Sequence, residues 1–349
     1  MNCDTHPSLN LFAAYQRMLR KRLRYFLSDL HPLLYADVVS ALQEKGKLLS
    51  RSHRKVANTT FAPPSGIWSL LTLLIALLIS PQHNLLLISS VSVAVEFFIC
   101  ALDLLDDIED EDQTRIVRDL GPARVLNVST TLLALAQRAI LSLSQLEVAP
   151  ELITRLLNTL QEVTLTATTG QHRDIQAEQR PVQDLTYEEC IEIATQKAGS
   201  LTSLACRLGA LCAGANDDVC QQFSELGKLL GIAHQLDNDC HDLYYLLHRE
   251  DAITLSTNTE KNTRTKTDLV RGKKTLPIVL AAKVENTFQE TSQSENKEQK
   301  EAYLQSLDEG ILASWSICLL YRERARDCLQ EIETRHSVSP ALRLLLGFT

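Results

Sequence analysis

Glycine and proline are scarce in this chain, 12 and 10 of 349 residues, so few breakers interrupt long regular segments. Alternating β-branched runs bounded by turn residues are missing, which removes a sheet as the organising element. No apolar run reaches the ~20 residues that cross a bilayer. Residues 67–79 are too few and end at Ser80-Pro81, and the stretch 85–105 carries Glu96 and Asp103. No transmembrane segment is therefore expected. The start, Met-Asn-Cys-Asp-Thr-His-Pro, lacks a basic segment followed by an apolar one, so no signal peptide is expected either. The nine cysteines are odd in number and form no CxxC pair, which points to inert thiols in a reducing cytoplasm. A net charge of −8, with no basic patch interleaved with aromatics, argues against nucleic acid as a partner. No sequence repeat is present.

What remains reads almost entirely as helix, rich in Leu, Ala, Glu and Gln. Residues 8–50 predict one or two amphipathic helices with a basic patch at Arg17–Arg24. A polar connection, 51–65, ends in the breaker Pro63-Pro64-Ser65-Gly66. Two very apolar helices are predicted over 67–80 and 85–112. From Val56 to Val95 there is no Asp, Glu, Lys or Arg, so these helices belong in the core. Gly121-Pro122 opens a helix to about 145, and Pro150 starts another to about 172. Thr186 and Glu189 form a capping box for a helix that continues towards Leu211. Residues 217–247 form a further long helix. The runs 250–267 and 286–301 read as solvated, the first as a mobile polar loop, and the tail 303–347 as helix.

Two acidic clusters sit on these apolar helices: Leu-Leu-Asp-Asp-Ile-Glu-Asp-Glu-Asp at 104–112 and Asp-Asn-Asp-Cys-His-Asp at 237–242. Asp106 and Asp110 stand four residues apart, as do Asn238 and Asp242, so each pair shares one helical face. Like charges so placed repel unless a cation sits between them. Hard divalent ions such as Mg²⁺ take oxygen ligands, usually one or two carboxylates plus substrate phosphates. Two such helices facing each other would make a diphosphate trap. Glu109, Glu111 and Asp112 read instead as solvated charges at a helix end. His172, His234 and His241 lie near the clusters, at spacings wrong for a zinc site.

These features, in this order, resemble the trans-isoprenyl diphosphate synthase (polyprenyl synthetase) family over roughly residues 60–345. Asp106-Asp107-Ile108-Glu109-Asp110 matches its first aspartate-rich motif, DDxxD. Glu96 matches a glutamate often found on the same helix, and Arg115 the first of the arginine pair that follows. Gln171 and Asp174 match a central GQxxD, and Lys197 the lysine of the KT motif. Gly231 to Gln235 followed by Asn238, Asp239 and Asp242 matches GxxFQxxDDxxD. Asp268 to Pro277, with Lys273, matches a late DLxxGKxTLP segment.

The resemblance implies an all-α class I isoprenoid synthase bundle with a central active-site cavity. It implies a single domain over 1–349, with N-terminal helices over 1–60, acting as a homodimer. Three Mg²⁺ ions per site would be held by Asp106, Asp107, Asp110, Asn238, Asp239 and Asp242. Asp106, Asp110 and Asp239 would be catalytic. Arg115, Gln171, Asp174, Lys197, Gln235 and Lys273 would contact the diphosphate of an allylic prenyl substrate. Phe97, Phe98, Ala101, Leu102 and His234 would line the pocket, with Leu102 and Ala101 leaving room for a farnesyl or longer chain. Trp68 fits either the core or the pocket wall, where its ring face would steady a cation.

Departures from the family pattern bear on the acceptor. Chain-elongating members carry GGKRxRP before DDxxD, whose basic pair holds isopentenyl diphosphate. Here Ile67 and Trp68 replace that pair, and Ile116 replaces the second arginine. Asn238 replaces the first aspartate of the second motif, and Ala198 the threonine after Lys197. The first expectation is thus a terpene synthase on this scaffold, which ionises a prenyl diphosphate and cyclises or quenches the cation. The alternative is a prenyltransferase, either chain-elongating or of the ComQ type that prenylates a peptide tryptophan. A non-catalytic partner subunit is the remaining alternative, and the intact DDxxD speaks against it.

Overall fold

A computed structural model describes residues 7–46, 48–49, 68–82, 84–247, 273–284 and 297–348. Among these residues there is no strand, in line with the all-α expectation. The connection 51–65 and the loop 250–267 lie outside the described residues. The N-terminal stretch forms two helices, α1 (Pro7–Leu27) and α2 (Pro32–Glu44). Arg22, within the expected basic patch, is turned inward. Its guanidinium lies 4.6 Å from the ring centres of both Tyr25 and Phe26.

The charge-free stretch forms α3 (Trp68–Ile79) and α4 (Leu85–Glu109). Asn84 starts α4 by accepting from the Leu86 and Leu87 amides, at 2.9 and 3.3 Å. From Leu87 to Ala101 every α4 side chain is buried. Each large apolar side chain so placed contributes about 1.5–3 kcal/mol. That burial explains the missing charges, since an unpaired charge there would have no water. α4 and the segment Pro122–Leu146 are long and apolar enough to cross a membrane. The most apolar window of α4 is 83% buried, the position of a core helix, and that of 122–146 is 44% buried.

α4 stops three residues before the expected end. Asp110 caps it, and Glu111 adopts a left-handed φ of 51°, which turns the chain into α5 (Arg115–Leu120). Gly121, at φ 77°, and Pro122 then open α6 (Pro122–Leu141) as expected. α7 (Pro150–Glu178) continues beyond the expected 172. α8 (Tyr187–Ala194), a π-helical turn at Thr195–Gly199, and α9 (Ser200–Cys212) follow one another without a break. The expected capping box is present: Thr186 Oγ1 accepts from the Glu189 amide at 3.1 Å, and Glu189 Oε2 from the Thr186 amide at 3.0 Å.

α10 (Asp217–Leu247) matches its expected span. α11 (Leu276–Val284) and α12 (Lys297–Glu333) complete the long elements, with α13 (Pro340–Leu346) at the end. Of the run 286–301, read as solvated, residues 286–296 lie outside the described residues, and 297–301 are helical with Glu301 exposed. Lys, Glu, Gln and Ala all favour helix, and polarity alone does not break one. The tail, in turn, divides before Pro340, which cannot continue a helix.

The described helices form two compact units. The first comprises Met1–Leu165, Leu201–Lys228 and Arg326–Thr349, the second Thr166–Ser200 and Leu229–Ala325. In the first unit α4 packs against α3, α6 and α1, while α2 packs on α5 and α6. α9 lies close on α3, where Thr72 Oγ1 donates to the Ala205 carbonyl at 2.9 Å. The second unit has its own core, including Ile232, Leu236, Cys240, Val279, Leu307 and Ile311.

Candidate functional site

In the first unit the DDxxD segment forms the last turn of α4. Asp106 is half-buried, and Asp110 is buried at 3% exposure. Asp107, predicted as a metal ligand, is committed elsewhere. Lys45 Nζ donates to its Oδ1 at 2.6 Å, and Thr114 Oγ1 to its Oδ2 at 3.0 Å. Burial pushes the Asp107 carboxyl above its ordinary pKa, while Lys45 and Thr114 pull the other way. Both oxygens thus serve the fold. The other two aspartates of the motif, Asp106 and Asp110, flank Asp107 on the same turn. Glu109 and Glu111 are exposed, as the sequence reading has them, while Asp112 is half-buried.

Arg115, predicted to grip diphosphate, begins α5 with its side chain 78% exposed and pairs with Asp119 at 3.3 Å. The next basic residue along, Arg118, donates to the Gln113 carbonyl at 2.7 Å. Glu96 is buried, and its two oxygens accept from the Leu48 amide and the Ser69 hydroxyl, both at 2.9 Å. It ties α4 to the start of α3 and to the chain beyond α2. Phe97 packs edge-on against Phe26 at 6.5 Å in the core, and Phe98 and Ala101 are buried beside it in sequence. Leu102 and Trp68 are half-buried.

In the second unit, one turn of α7 grips the π-helical turn. Lys197 Nζ donates to Asp174 Oδ2 at 2.7 Å, so these two predicted residues are brought together. Arg173, which sequence reasoning passed over, donates to Gln196 Oε1 at 3.1 Å and to Glu192 at 2.8 Å. Gly170 makes the approach possible, since a Cβ there would stand 2.7 Å from the Gln196 Cβ. Gln171 is buried on the same turn. A π-turn widens the helix by one residue and is frequent at functional sites.

On α10, Gln235 Nε2 donates to Asp239 Oδ1 at 2.8 Å. His234 Nε2 and Asn238 Nδ2 lie 3.4 Å apart. Asn238, Asp239 and Asp242 are half-buried. Cys190 of α8 sits within the field of this group. Burial first, then the charges of Asp239 and Asp174, push its thiol up to about 12. Lys273 is half-buried just before α11, and its neighbour Lys274 closes the end of α7 by donating to the Glu178 carbonyl at 2.9 Å.

Among the described residues, no three His, Cys, Asp or Glu side chains converge into a ready-made metal cage. Each acidic motif instead offers carboxylate or amide oxygens at helical spacing. That donor set fits Mg²⁺, which retains water and is held by one or two carboxylates together with substrate phosphates.

The residues that sequence reasoning missed are Lys45, Thr114, Arg173 and Glu44, whose Oε1 accepts from the Ile116 amide at 3.1 Å. Arg173 lies inside the Gly-Gln-His-Arg-Asp segment and was within reach. Lys45 pairs across 62 positions with nothing local to mark it.

Residues 54–310 match the sequence profile of the family described as polyprenyl synthetase. The tryptophan prenyltransferase ComQ of Bacillus spizizenii is 35% identical over 151 residues, 43% of this chain and 49% of that protein. The geranylgeranyl diphosphate synthase of Methanosarcina mazei is 30% identical over 165 residues, 46% of this chain and 49% of that protein. The chain thus spans about half the length of the curated relatives it matches. In fold it is similar to a polyprenyl synthase of Caulobacter crescentus, crystallised with calcium and isoprenyl diphosphate. That likeness has a TM-score of 0.72 at 18% identity, over 98% of this chain and 95% of the other.

Proposed function

Since the chain belongs to the polyprenyl synthetase family, we propose that it is a prenyltransferase acting on an allylic prenyl diphosphate of farnesyl size or longer. The relatives named above transfer prenyl groups or make prenyl diphosphates, so transfer replaces cyclisation as the first reading. The acceptor we propose is a tryptophan of a peptide. The observation that carries this is the ComQ similarity in a chain whose expected isopentenyl diphosphate cradle has Ile67 and Trp68 in place of its basic pair.

In this reading Asp106 and Asp110, and Asn238, Asp239 and Asp242, hold divalent metal, Mg²⁺ by the chemistry of the donors. Bound metal would neutralise the diphosphate as it leaves. Lys197 and Lys273 would add charge-assisted donors to a diphosphate, and Arg115 is the basic residue that follows DDxxD in the first unit. Asp174 and the π-turn fix where Lys197 points. Gln235 holds Asp239 in one orientation. The allylic C–O bond breaks with its electron pair going to the diphosphate. The indole then forms the new C–C bond and gives up its ring proton. Apolar side chains of the first unit, Leu102 and Trp68 among them, would keep water from the cation. A homodimer and a cytoplasmic location belong to the same proposal.

Chain elongation is the second reading, favoured by the similarity to geranylgeranyl diphosphate synthase. One experiment separates them. The protein is incubated with Mg²⁺ and farnesyl or geranylgeranyl diphosphate, alone, with a tryptophan-containing peptide, or with isopentenyl diphosphate. Mass spectrometry showing a prenylated peptide supports the first reading. A longer diphosphate supports the second. A hydrocarbon or alcohol formed without any acceptor overturns both and restores cyclisation or quenching. Asp106→Asn is expected to lower whichever activity is found by about 10²–10³-fold.

A further inference from the structure

The buried ion pair between Lys45 and Asp107 joins two elements with no sequence motif in common. Its lysine side chain is 21% exposed and its carboxylate 7%. Asp107 follows Asp106 directly, and successive helical residues point about 100° apart. Asp107 therefore faces a different side of α4 from Asp106. Around it the same turn is fastened three more times. Thr114 takes the second oxygen at 3.0 Å, the Asp112 amide donates to the Asp107 carbonyl at 2.7 Å, and the Ile116 amide donates to Glu44 Oε1 at 3.1 Å. Two consecutive residues at the end of α2, Glu44 and Lys45, thus grip the stretch 107–116. α2 is itself tied to α6, where Arg124 Nη2 donates to Asp37 Oδ1 at 2.6 Å.

Charge makes this grip necessary. Asp106, Asp107, Glu109, Asp110, Glu111 and Asp112 crowd the C-terminal end of a helix, where the backbone dipole is already negative. A carboxylate turned inward there stays only if a cation meets it. Without Lys45, Asp107 would be a buried unpaired charge and would swing outward, taking the turn with it.

We propose that Lys45 is a positioning residue: through Asp107 it holds the last turn of α4 so that Asp106 and Asp110 present their carboxylates to divalent metal. This rests on the metal-binding part of the reading above. A merely electrostatic role makes the opposite prediction, because removing a nearby positive charge favours cation binding.

The test is Mn²⁺ binding to the full chain in the presence of inorganic diphosphate, read by the electron paramagnetic resonance of free Mn²⁺. Lys45→Met and Asp107→Asn should each weaken binding about 10-fold or more. The double variant should be no worse than either single one, and Lys45→Arg should stay close to the parent. Lys45→Met binding as tightly as the parent, or more tightly, overturns the proposal. In that case a weakened Asp107→Asn makes Asp107 itself a ligand. Asp107→Asn keeps the side chain's size, so it remains informative where Lys45→Met does not fold; binding at parental strength there also overturns the proposal. A parent chain that binds no Mn²⁺ overturns the metal reading, and this inference with it.

Discussion

Single residues in this protein divide into those whose role is announced by local pattern and those whose partners lie far along the chain. Asp106, Asp110, Lys197 and Asp239 belong to the first kind, since spacing and motif context single them out. Glu96 belongs to the second. Its place on the helix before DDxxD is legible, but its partners, the Leu48 amide and the Ser69 hydroxyl, are 48 and 27 positions away. Glu96→Ala leaves two donors buried without acceptors, each costing about 1–3 kcal/mol. Urea unfolding should therefore show a loss of about 2–4 kcal/mol, with Glu96→Gln keeping part of it. Asp107 shows the opposite trap. The motif makes it look like its neighbour Asp106, and only the approach of Lys45 reveals that it faces inward.

Elements were legible where their ends carry their own chemistry. Gly121-Pro122 and the Thr186–Glu189 capping box mark helix starts that the structure keeps. They were illegible where tertiary packing decides. No local signal marks the start of α12, and α11 sits in a stretch whose sequence interest lay in Lys273. The π-turn is the clearest case. Its residues are ordinary helix formers, and the widening is held by Gly170, Arg173 and Asp174 of another helix. Gly170→Ala places a methyl group 2.7 Å from the Gln196 Cβ, so α7 and the π-turn must separate. The expected cost is about 1–3 kcal/mol, measured by chemical denaturation. Turnover should fall further than the lost stability explains, because Lys197 moves with the turn. Equal loss in Gly170→Ala and in a variant of matched stability elsewhere would count against that coupling.

At the scale of the whole molecule, the order of the motifs along the chain identifies the family, and composition excludes sheets. Neither reveals the acceptor, which depends on surfaces to which many side chains contribute. Two molecular predictions follow from charge. Arg138, with Ser28, lowers the Asp29 pKa, and Arg180, with the Thr186 amide, lowers that of Glu189. A lowered carboxyl contributes stability that is complete above its unfolded pKa near 4 and is lost as pH falls through the folded value. Asp29 is exposed and Glu189 is half-buried in a surface pair, so the contribution is small and shrinks with salt. Acid titration of Tm should show Arg180→Ala and Arg138→Ala differing from the parent at neutral pH and converging with it in strong acid. Ligand linkage is the larger effect. Mg²⁺ and inorganic diphosphate together, at about 100 times Kd, should stabilise by about 2.7 kcal/mol. For 349 residues that corresponds to a Tm rise of about 4 °C, and chelation should reverse it.

Seven of the eight described cysteines are buried and Cys328 is half-buried. Burial pushes the Cys318 and Cys328 thiols up to about 11, so little thiolate is present near neutral pH. For spectroscopy this is an advantage. With Cys3 and Cys328 changed to serine, cysteines introduced at the exposed positions Thr130 and Ser316 would take up spin labels against a nearly silent background. A pair of labels would then report, as a distance distribution, how the chain responds when metal and diphosphate arrive.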